Sequence, residues 1–526
     1  MPRGVARAGL LVAVLAALAI VGGGSPVAGQ GPAAASLSPE AQRAAVRELV
    51  SLVSLPNVAT NQVDIRRNAE YLRDAFARRG FAVQVVETKG SPVVIAVRRG
   101  TPRPDAAVRD ITFYCHYDGQ PVVAAEWKDS GPFVPILRDG RLEAGGKVVS
   151  PPQAGPIDPD WRLYARSSAD DKGPIAALLS ALDLQVPPMD GGRAGSPSRP
   201  YPGPTIRVVL EGDEEAGSPV LEEALKAHAA DVKSDLVIMM DGPQHMSGRP
   251  TFFFGARGIM SVELTVFGAK HDLHSGNYGN WAPNPALDLA RLLASMKDEK
   301  GRVVIEGFYD EVVPLTAGEK QAIAEIPPVE EEQMRALGFA RAEVPGSRIE
   351  ERHNLPTLNV SGLGAGTVSG QGRTVIPATA TARLDLRLVN AIDPARHFAR
   401  LRAHVEKQGF HLVAGERPTD QERGAWPKLA RLVQSEGYPA GRTAIDQPAA
   451  GAVINVVAAA TGKRPVRYPT LGGSAPFYIF SSRLGVPTIG MPVVNYDNNQ
   501  HGPNENIRLG TYFEAVVAIG SILSAR

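Results

Sequence analysis

Five apolar runs of strand length each stop at a side chain able to hold a metal ion. Run 111–115 leads into His116-Tyr117-Asp118, and run 161–169 into Asp170-Asp171-Lys172-Gly173. Run 206–210 leads into Glu211-Gly212-Asp213-Glu214-Glu215, and run 236–240 into Asp241-Gly242. Near the C-terminus, run 488–494 precedes a polar stretch from Asn495 to His501. In an open α/β sheet, ligands bind in the crevice outside the carboxyl ends of the strands. Side chains just past several strand ends therefore converge although they are far apart in sequence. The pattern restricts the chain to folds in which several strand ends share one rim.

Helical patterns separate these runs. Ser38-Pro39-Glu40 offers a cap with proline in the first turn, a second pattern covers 66–79 and stops at Gly80, and a third covers 172–184. Runs 81–85 and 93–97 add strands. Strands alternating with helices predict an α/β fold: a mixed, mostly parallel sheet with flanking helices. Around residue 251 the texture changes. Runs 251–254, 260–267 and 379–389 read as strands, 286–296 and 395–408 as helices, and 300–350 as a charged, irregular stretch. This order suits a small α+β unit. Segments 427–436, 449–461 and a final helix from Thr511 return to the α/β style, whereas 186–204 is a Pro/Gly/Ser-rich loop. At 526 residues the chain exceeds one ordinary domain of about 100–200 residues. The expected organisation is a large domain whose first part covers 30–254 and whose second part covers 416–526, interrupted by an inserted unit over 255–415.

The N-terminus reads as an address. Arg3 and Arg7 precede an apolar stretch over 9–21 and a small-residue tail over 22–29, the layout of a secretory signal peptide. The apolar part is shorter than the roughly 20 residues a bilayer span needs, and no later segment qualifies. Residues 1–29 are therefore expected to be removed on export, which makes the protein periplasmic or secreted in a bacterium. Lys plus Arg is 56 against Asp plus Glu 55, so no basic excess points to nucleic acid. The single cysteine, Cys115, excludes a disulfide within the chain and a cysteine-built zinc site.

Two imidazoles and several carboxylates at one rim suit one or two divalent ions, zinc before manganese or cobalt. A carboxylate bridging two ions holds them as a pair that can activate a shared water. Such a site also needs a base for the water and a partner to orient a ligand histidine. Each piece has an ordinary reading as well: His-x-Asp as structural, Glu-Glu as a solvated loop, Asp-Asp-Lys-Gly as a helix cap. Glu211 and Asp213 read as loop charges, and Asp171 as a capping or supporting carboxylate. His245, His271 and His353 read as surface or loop histidines. His228, His397, His404 and His411 read as exposed, and Cys115 as buried filler.

In order and context together, these motifs resemble the co-catalytic di-metal peptidases of metallopeptidase family twenty, and most of all their carnosinase-like dipeptidase branch. The family also includes aminoacylases and glutamate-releasing carboxypeptidases. The resemblance spans nearly all of the chain after residue 29. It implies a phosphorylase/hydrolase-like zinc-peptidase domain interrupted by an α+β lid that mediates dimerisation, hence a homodimer. It implies His116, Asp170 and Asp241 around one ion, and Asp170, Glu215 and His501 around the other, with Asp170 bridging. Asp118 would orient His116, and Glu214 would be the general base. His274, in His274-Ser275-Gly276, matches a lid histidine that reaches the partner's active site and steadies the oxyanion; alone it reads as a surface histidine. Arg387, in Leu384-Asp385-Leu386-Arg387-Leu388, matches the arginine gripping a substrate carboxylate, a task suited to a planar guanidinium. Gly472-Gly473-Ser474 resembles the glycine-rich substrate loop, with Gly473 and Ser474 at the ligand.

Three features depart from the family pattern. Ala165-Arg166-Ser167 stands where many relatives have Gly-Arg-Gly, segment 140–160 is long, and Thr470-Leu471 replaces a common Arg-Glu pair. The expected activity is hydrolysis of an amide bond in a dipeptide or short peptide. The same site would serve an N-acyl-amino-acid amidohydrolase or a glutamate-releasing carboxypeptidase. The non-enzymatic alternative is a secreted peptide-binding protein on the same fold.

Overall fold

The computed structural model describes residues 36–185, 201–367 and 372–525. The expected export segment at 1–29 and positions 186–200 of the Pro/Gly/Ser-rich loop lie outside the described residues. One sheet of eight strands runs in the order Ala82–Val86, Val93–Arg98, Thr205–Glu211, Asp110–His116, Leu236–Met239, Thr488–Gly490, Thr251–Phe253, Val466–Tyr468. The pairs from Thr205–Glu211 through Thr488–Gly490 are parallel, and so is the last pair. The first two pairs are antiparallel. This is the mixed sheet expected.

Side chains alternate across it, as a two-residue period requires. Ile111, Phe113 and Cys115 join the core under the helices, whereas Tyr114 faces Phe253, Phe477 and Phe480 on the opposite side. Helices Pro39–Val53, Lys172–Gln185 and Leu509–Leu523 cover the first face. Lys172–Gln185 is buried without a break from Lys172 to Leu182 because it packs against both of the others. Its sequence is accordingly apolar all round rather than one-sided.

The run 161–169 does not extend the main sheet. Only Arg162–Tyr164 is strand, and it lies in a four-stranded sheet between Asn506–Arg508 and Ile136–Arg138. Beyond it the chain turns tightly, with Ser167 in the left-handed region at φ 60°. The antiparallel pairing of Tyr164 with Asn506 draws the turn before Lys172 beside the loop that carries His501.

A second sheet has Gly255–Phe267 and Thr379–Leu388 at its centre, flanked by Thr357–Ala365 and Leu429–Tyr438. Gly255–Phe267 alternates buried and half-buried residues, with Met260, Val262, Leu264 and Val266 in a separate core. Helices Pro285–Ala294 and Pro394–Lys407 supply the other side of that core. Leu429–Tyr438, read from sequence with the returning α/β part, pairs with Gly255–Phe267 and so belongs to this sheet. The start of Gly255–Phe267 also pairs with Leu471–Ser474, with Arg257 opposite Ser474. That junction brings the glycine loop against Arg257. Among the described residues no helix is long and apolar enough to cross a membrane.

Candidate active site

Three adjacent parallel strands deliver the first side chains. Asp110–His116 ends on His116; Thr205–Glu211 is followed by the turn carrying Glu214 and Glu215; Leu236–Met239 is followed by Asp241. Asp170 and His501 arrive from the smaller sheet. Potential ligand atoms of His116, Asp170 and Asp241 lie within 4.8 Å of one another, and so do those of Asp170, Glu215 and His501. Asp170 belongs to both groups. Its Oδ1 is 2.9 Å from His116 Nε2, and its Oδ2 is 3.0 Å from His501 Nε2. One carboxylate thus presents one oxygen to each histidine, the disposition needed to bridge two cations.

Asp118 is fully buried and ties three pieces together. Its Oδ1 lies 3.3 Å from His116 Nδ1, leaving Nε2 turned to Asp170. The same carboxylate accepts the backbone N–H of Glu214 at 3.2 Å and of Glu215 at 3.0 Å. Asp171 Oδ2 accepts the His116 N–H at 3.1 Å, so it supports the strand end rather than joining either donor group. Gln120 donates to Glu215 Oε2 at 2.6 Å, and Gln500 to Asp170 Oδ2 at 3.3 Å.

The electrostatics ask for cations. Burial and the Asp170 charge push Glu215 up to about 7 and Asp241 up to about 6. Burial also raises Glu214 well above the carboxylate range, with Asp241 and Glu215 adding repulsion. Burial opposes a charged His116, yet hydrogen bonds to Asp118 and Asp170 raise it well above an ordinary imidazole. Carboxylates crowded in a desolvated crevice repel one another until positive charge enters. With two imidazoles in the set, the donors fit zinc-type ions.

The glycine loop forms a second wall. Arg387 Nη1 donates to Ser474 Oγ at 2.7 Å, and Arg257 donates twice to the Gly472 carbonyl. Burial and the neighbouring Arg387 lower Arg257 to about 10. Close packing falls on Gly472, where a Cβ would sit 2.6 Å from His353 Nε2, whereas at Gly473 the nearest atom is 3.8 Å away. The loop is therefore clamped at its first glycine and open at its second. His274 is not brought to either donor group: it is exposed on the short strand Leu273–His274, where Nδ1 accepts the Gly276 N–H.

Several sequence readings need correction. Glu211 is not a loop charge but fully buried, accepting Tyr114 Oη at 2.6 Å and Ser218 Oγ at 3.1 Å. Asp213 is buried as well, and accepts the Ser91 N–H at 2.6 Å and Ser91 Oγ at 2.5 Å. His397 and His404 are buried rather than exposed, because their helix lies over an apolar core, and His245 is a loop histidine, buried, with Nδ1 2.8 Å from Ser247 Oγ. Glu505 was missed altogether. It accepts the N–H groups of Ser167, Ala169 and Asp170 at 2.8–2.9 Å and Arg166 Nη1 at 2.8 Å. The only available signal was its place four residues beyond His501.

Residues 254–412 match the family model described as a peptidase dimerisation domain. The chain is 26% identical over 502 residues to a Cys-Gly metallodipeptidase of Candida albicans, covering 91% of this chain and 93% of that protein. It is 25% identical over 366 residues to a mouse Beta-Ala-His dipeptidase, covering 68% of each. A solved M20 family metallo-carboxypeptidase from Sulfolobus solfataricus superposes with a TM-score of 0.72 at 28% identity, over 91% of this chain and 98% of that one. Sequence, inserted domain and fold all liken the chain to the M20 metallopeptidases.

Proposed function

We propose that the protein is an exported di-metal hydrolase that cleaves the amide bond of dipeptides or short peptides. The observation that carries this reading is Asp170, whose two oxygens face His116 and His501 in two separate donor groups. The relatives named as Cys-Gly and Beta-Ala-His dipeptidases support a small peptide as the substrate class. Two divalent ions, zinc before manganese or cobalt, would polarise the scissile carbonyl and acidify the attacking water when bound.

The chain's own residues divide the remaining work. His116, Asp170 and Asp241 would hold one ion, and Asp170, Glu215 and His501 the other, while Asp118 keeps the His116 ring oriented. Glu214 lies outside both donor groups. It would take a proton from the attacking water and return it to the departing amine, a role typically worth about 10²–10⁴-fold in rate. Arg387, held beside Ser474, would grip the substrate carboxylate, and the open backbone at Gly473 gives the ligand room. The dimerisation-domain match supports a homodimer. In it, His274 would reach the oxyanion of the partner's substrate, which its exposure in a single chain permits. Export rests on the N-terminal sequence pattern.

Glu214→Gln tests the reading. The variant should keep two metal ions by elemental analysis and lose at least about 10²-fold in turnover of a dipeptide. Wild-type hydrolysis by that variant would remove Glu214 from the mechanism. His116→Ala should lose metal and activity together. Dipeptides, N-acetyl amino acids and glutamate conjugates compared side by side separate a dipeptidase from an amidohydrolase or a glutamate-releasing carboxypeptidase.

A further inference from the structure

Beside the donor groups lies a cavity of about 360 Å³, of which the chemistry above uses only the edge formed by Asp241, Gly473 and Ser474. It shares Asp241 and Ser474 with the candidate site, so it opens directly onto the place where the scissile bond and the carboxylate anchor would lie. Its far wall comes from the irregular stretch between the two central strands of the second sheet: Val329, Gln333 of helix Glu330–Leu337, Ile349 of helix Ile349–Arg352, and His353. Tyr468 and Leu471 line it from the catalytic side.

That wall is fixed in place. Arg348 donates to the carbonyls of Ile323 and Ile326 at 2.9 Å and to Glu330 Oε1 at 3.1 Å. Thr470 donates to Asn354 Oδ1 at 2.8 Å, and Asn354 Nδ2 to the Glu350 carbonyl, which pins the wall to the glycine loop. Thr470 is part of the pair that replaces Arg-Glu in the family pattern. The His353 ring packs on Gly472.

The lining holds two carboxylates, Asp241 at the metal centre and Glu350, and neither is free to pair with a ligand side chain. Glu350, 1% exposed, is answered by Arg348 at 3.2 Å. Burial and neighbouring arginines keep His245 and His353 neutral, each lowered to about 4. Among the described residues His353 Nδ1 has no hydrogen-bond partner, whereas the His245 ring faces the Pro327 backbone. An ammonium or carboxylate placed here would lose its hydration without gaining a counter-ion. An apolar side chain would meet Val329, Ile349 and Leu471, and a hydroxyl would find the side-chain amides of Gln244 and Gln333 in the lining.

Resting on the hydrolase reading above, we infer that this cavity is the specificity pocket for one substrate side chain, and that it selects large uncharged residues of the leucine, phenylalanine or tyrosine class. A volume of this size falls in the range of small-molecule pockets. Discrimination among apolar side chains in such pockets runs at about 10–200-fold per step in size.

The test is kcat/KM for the metal-loaded full chain with two dipeptide series, X-Gly and Gly-X, where X is Ala, Leu, Phe, Lys or Glu. In one series, Leu and Phe should exceed Ala, Lys and Glu by at least about tenfold. Val329→Trp, or Ile349→Phe should the first variant not fold, should shrink the Leu-to-Ala ratio about tenfold. Ala, Lys or Glu turned over as well as Leu in both series overturns the inference, as does a filled pocket that lowers every substrate by one factor. Hydrolysis of no peptide at all would instead sink the hydrolase reading. The cavity is then judged by calorimetry of the same peptides on Glu214→Gln: Leu and Phe peptides binding tenfold tighter than Ala support it, and equal affinities refute it.

Discussion

Glu505→Gln is the sharpest single test of how the metal centre is built. The wild-type carboxylate is fully buried and satisfies four donors. Oε1 takes the N–H groups of Ala169 and Asp170; Oε2 takes the Ser167 N–H and Arg166 Nη1. A carboxamide keeps one acceptor oxygen and turns an NH₂ toward the other pair. Two buried donors then lose their acceptor, at about 1–3 kcal/mol each. Arg166, itself buried over the Trp127 ring, is left without its counter-charge. Breaking a buried ion pair at one end costs about 3–5 kcal/mol, overlapping with the first figure rather than adding to it. A loss of about 3–5 kcal/mol is thus expected, a large share of a typical total of about 5–15 kcal/mol. Because the orphaned groups belong to the turn that aims Asp170, metal affinity should fall as well. Urea unfolding measures the first effect and metal titration by calorimetry the second. Glu505→Asp, which keeps the charge and both oxygens, should recover part of each. A Glu505→Gln protein within about 0.5 kcal/mol of wild type, with unchanged metal affinity, would refute this account of the turn.

Other expectations follow from single contacts. Arg387→Gln should lower kcat/KM for a free dipeptide about 10²-fold, the value of losing a charged hydrogen-bonded grip, while leaving the corresponding dipeptide amide nearly unaffected. Equal losses on acid and amide would separate Arg387 from carboxylate binding. His397 is buried against Phe308, both ring nitrogens have no partner among the described residues, and burial, with Arg400 nearby, lowers it to about 4. Its folded pKa lies below the unfolded value of about 6.5, so the unfolded chain takes up the proton first as pH falls. Stability is fully present above about 6.5 and is lost down to about 4, by about 2 kcal/mol between pH 7 and 5. His397→Met should flatten that part of the pH profile of urea unfolding; an unchanged slope would contradict a neutral buried imidazole.

What could be read from sequence and what could not divides along a physical line. Apolar period records which face of an element is buried, and it located the strands that lead to His116, Glu214 and Asp241 because those side chains lie at or within three residues of the strand ends. It located the main sheet for the same reason. It does not record which distant polar group a polar side chain will meet. Glu211 and Asp213 follow the end of a run and look solvated, yet Asp213 is closed over by Ser91, from 122 residues earlier. Glu505 sits in a polar loop, and its four donors all lie more than 330 residues away. His397 and His404 fall on the inner side of Pro394–Lys407, where an imidazole looks like a surface residue until the Phe308 layer above it is known. The sequence of 427–436 says nothing about its partner, and the place of Leu429–Tyr438 beside Gly255–Phe267 follows from pairing across some 170 residues. The same reasoning explains the cavity beside Asp241. Its wall comes from a stretch without period, held by Arg348, Asn354 and Thr470 rather than by an apolar stripe, so substrate selection is encoded where periodicity is silent.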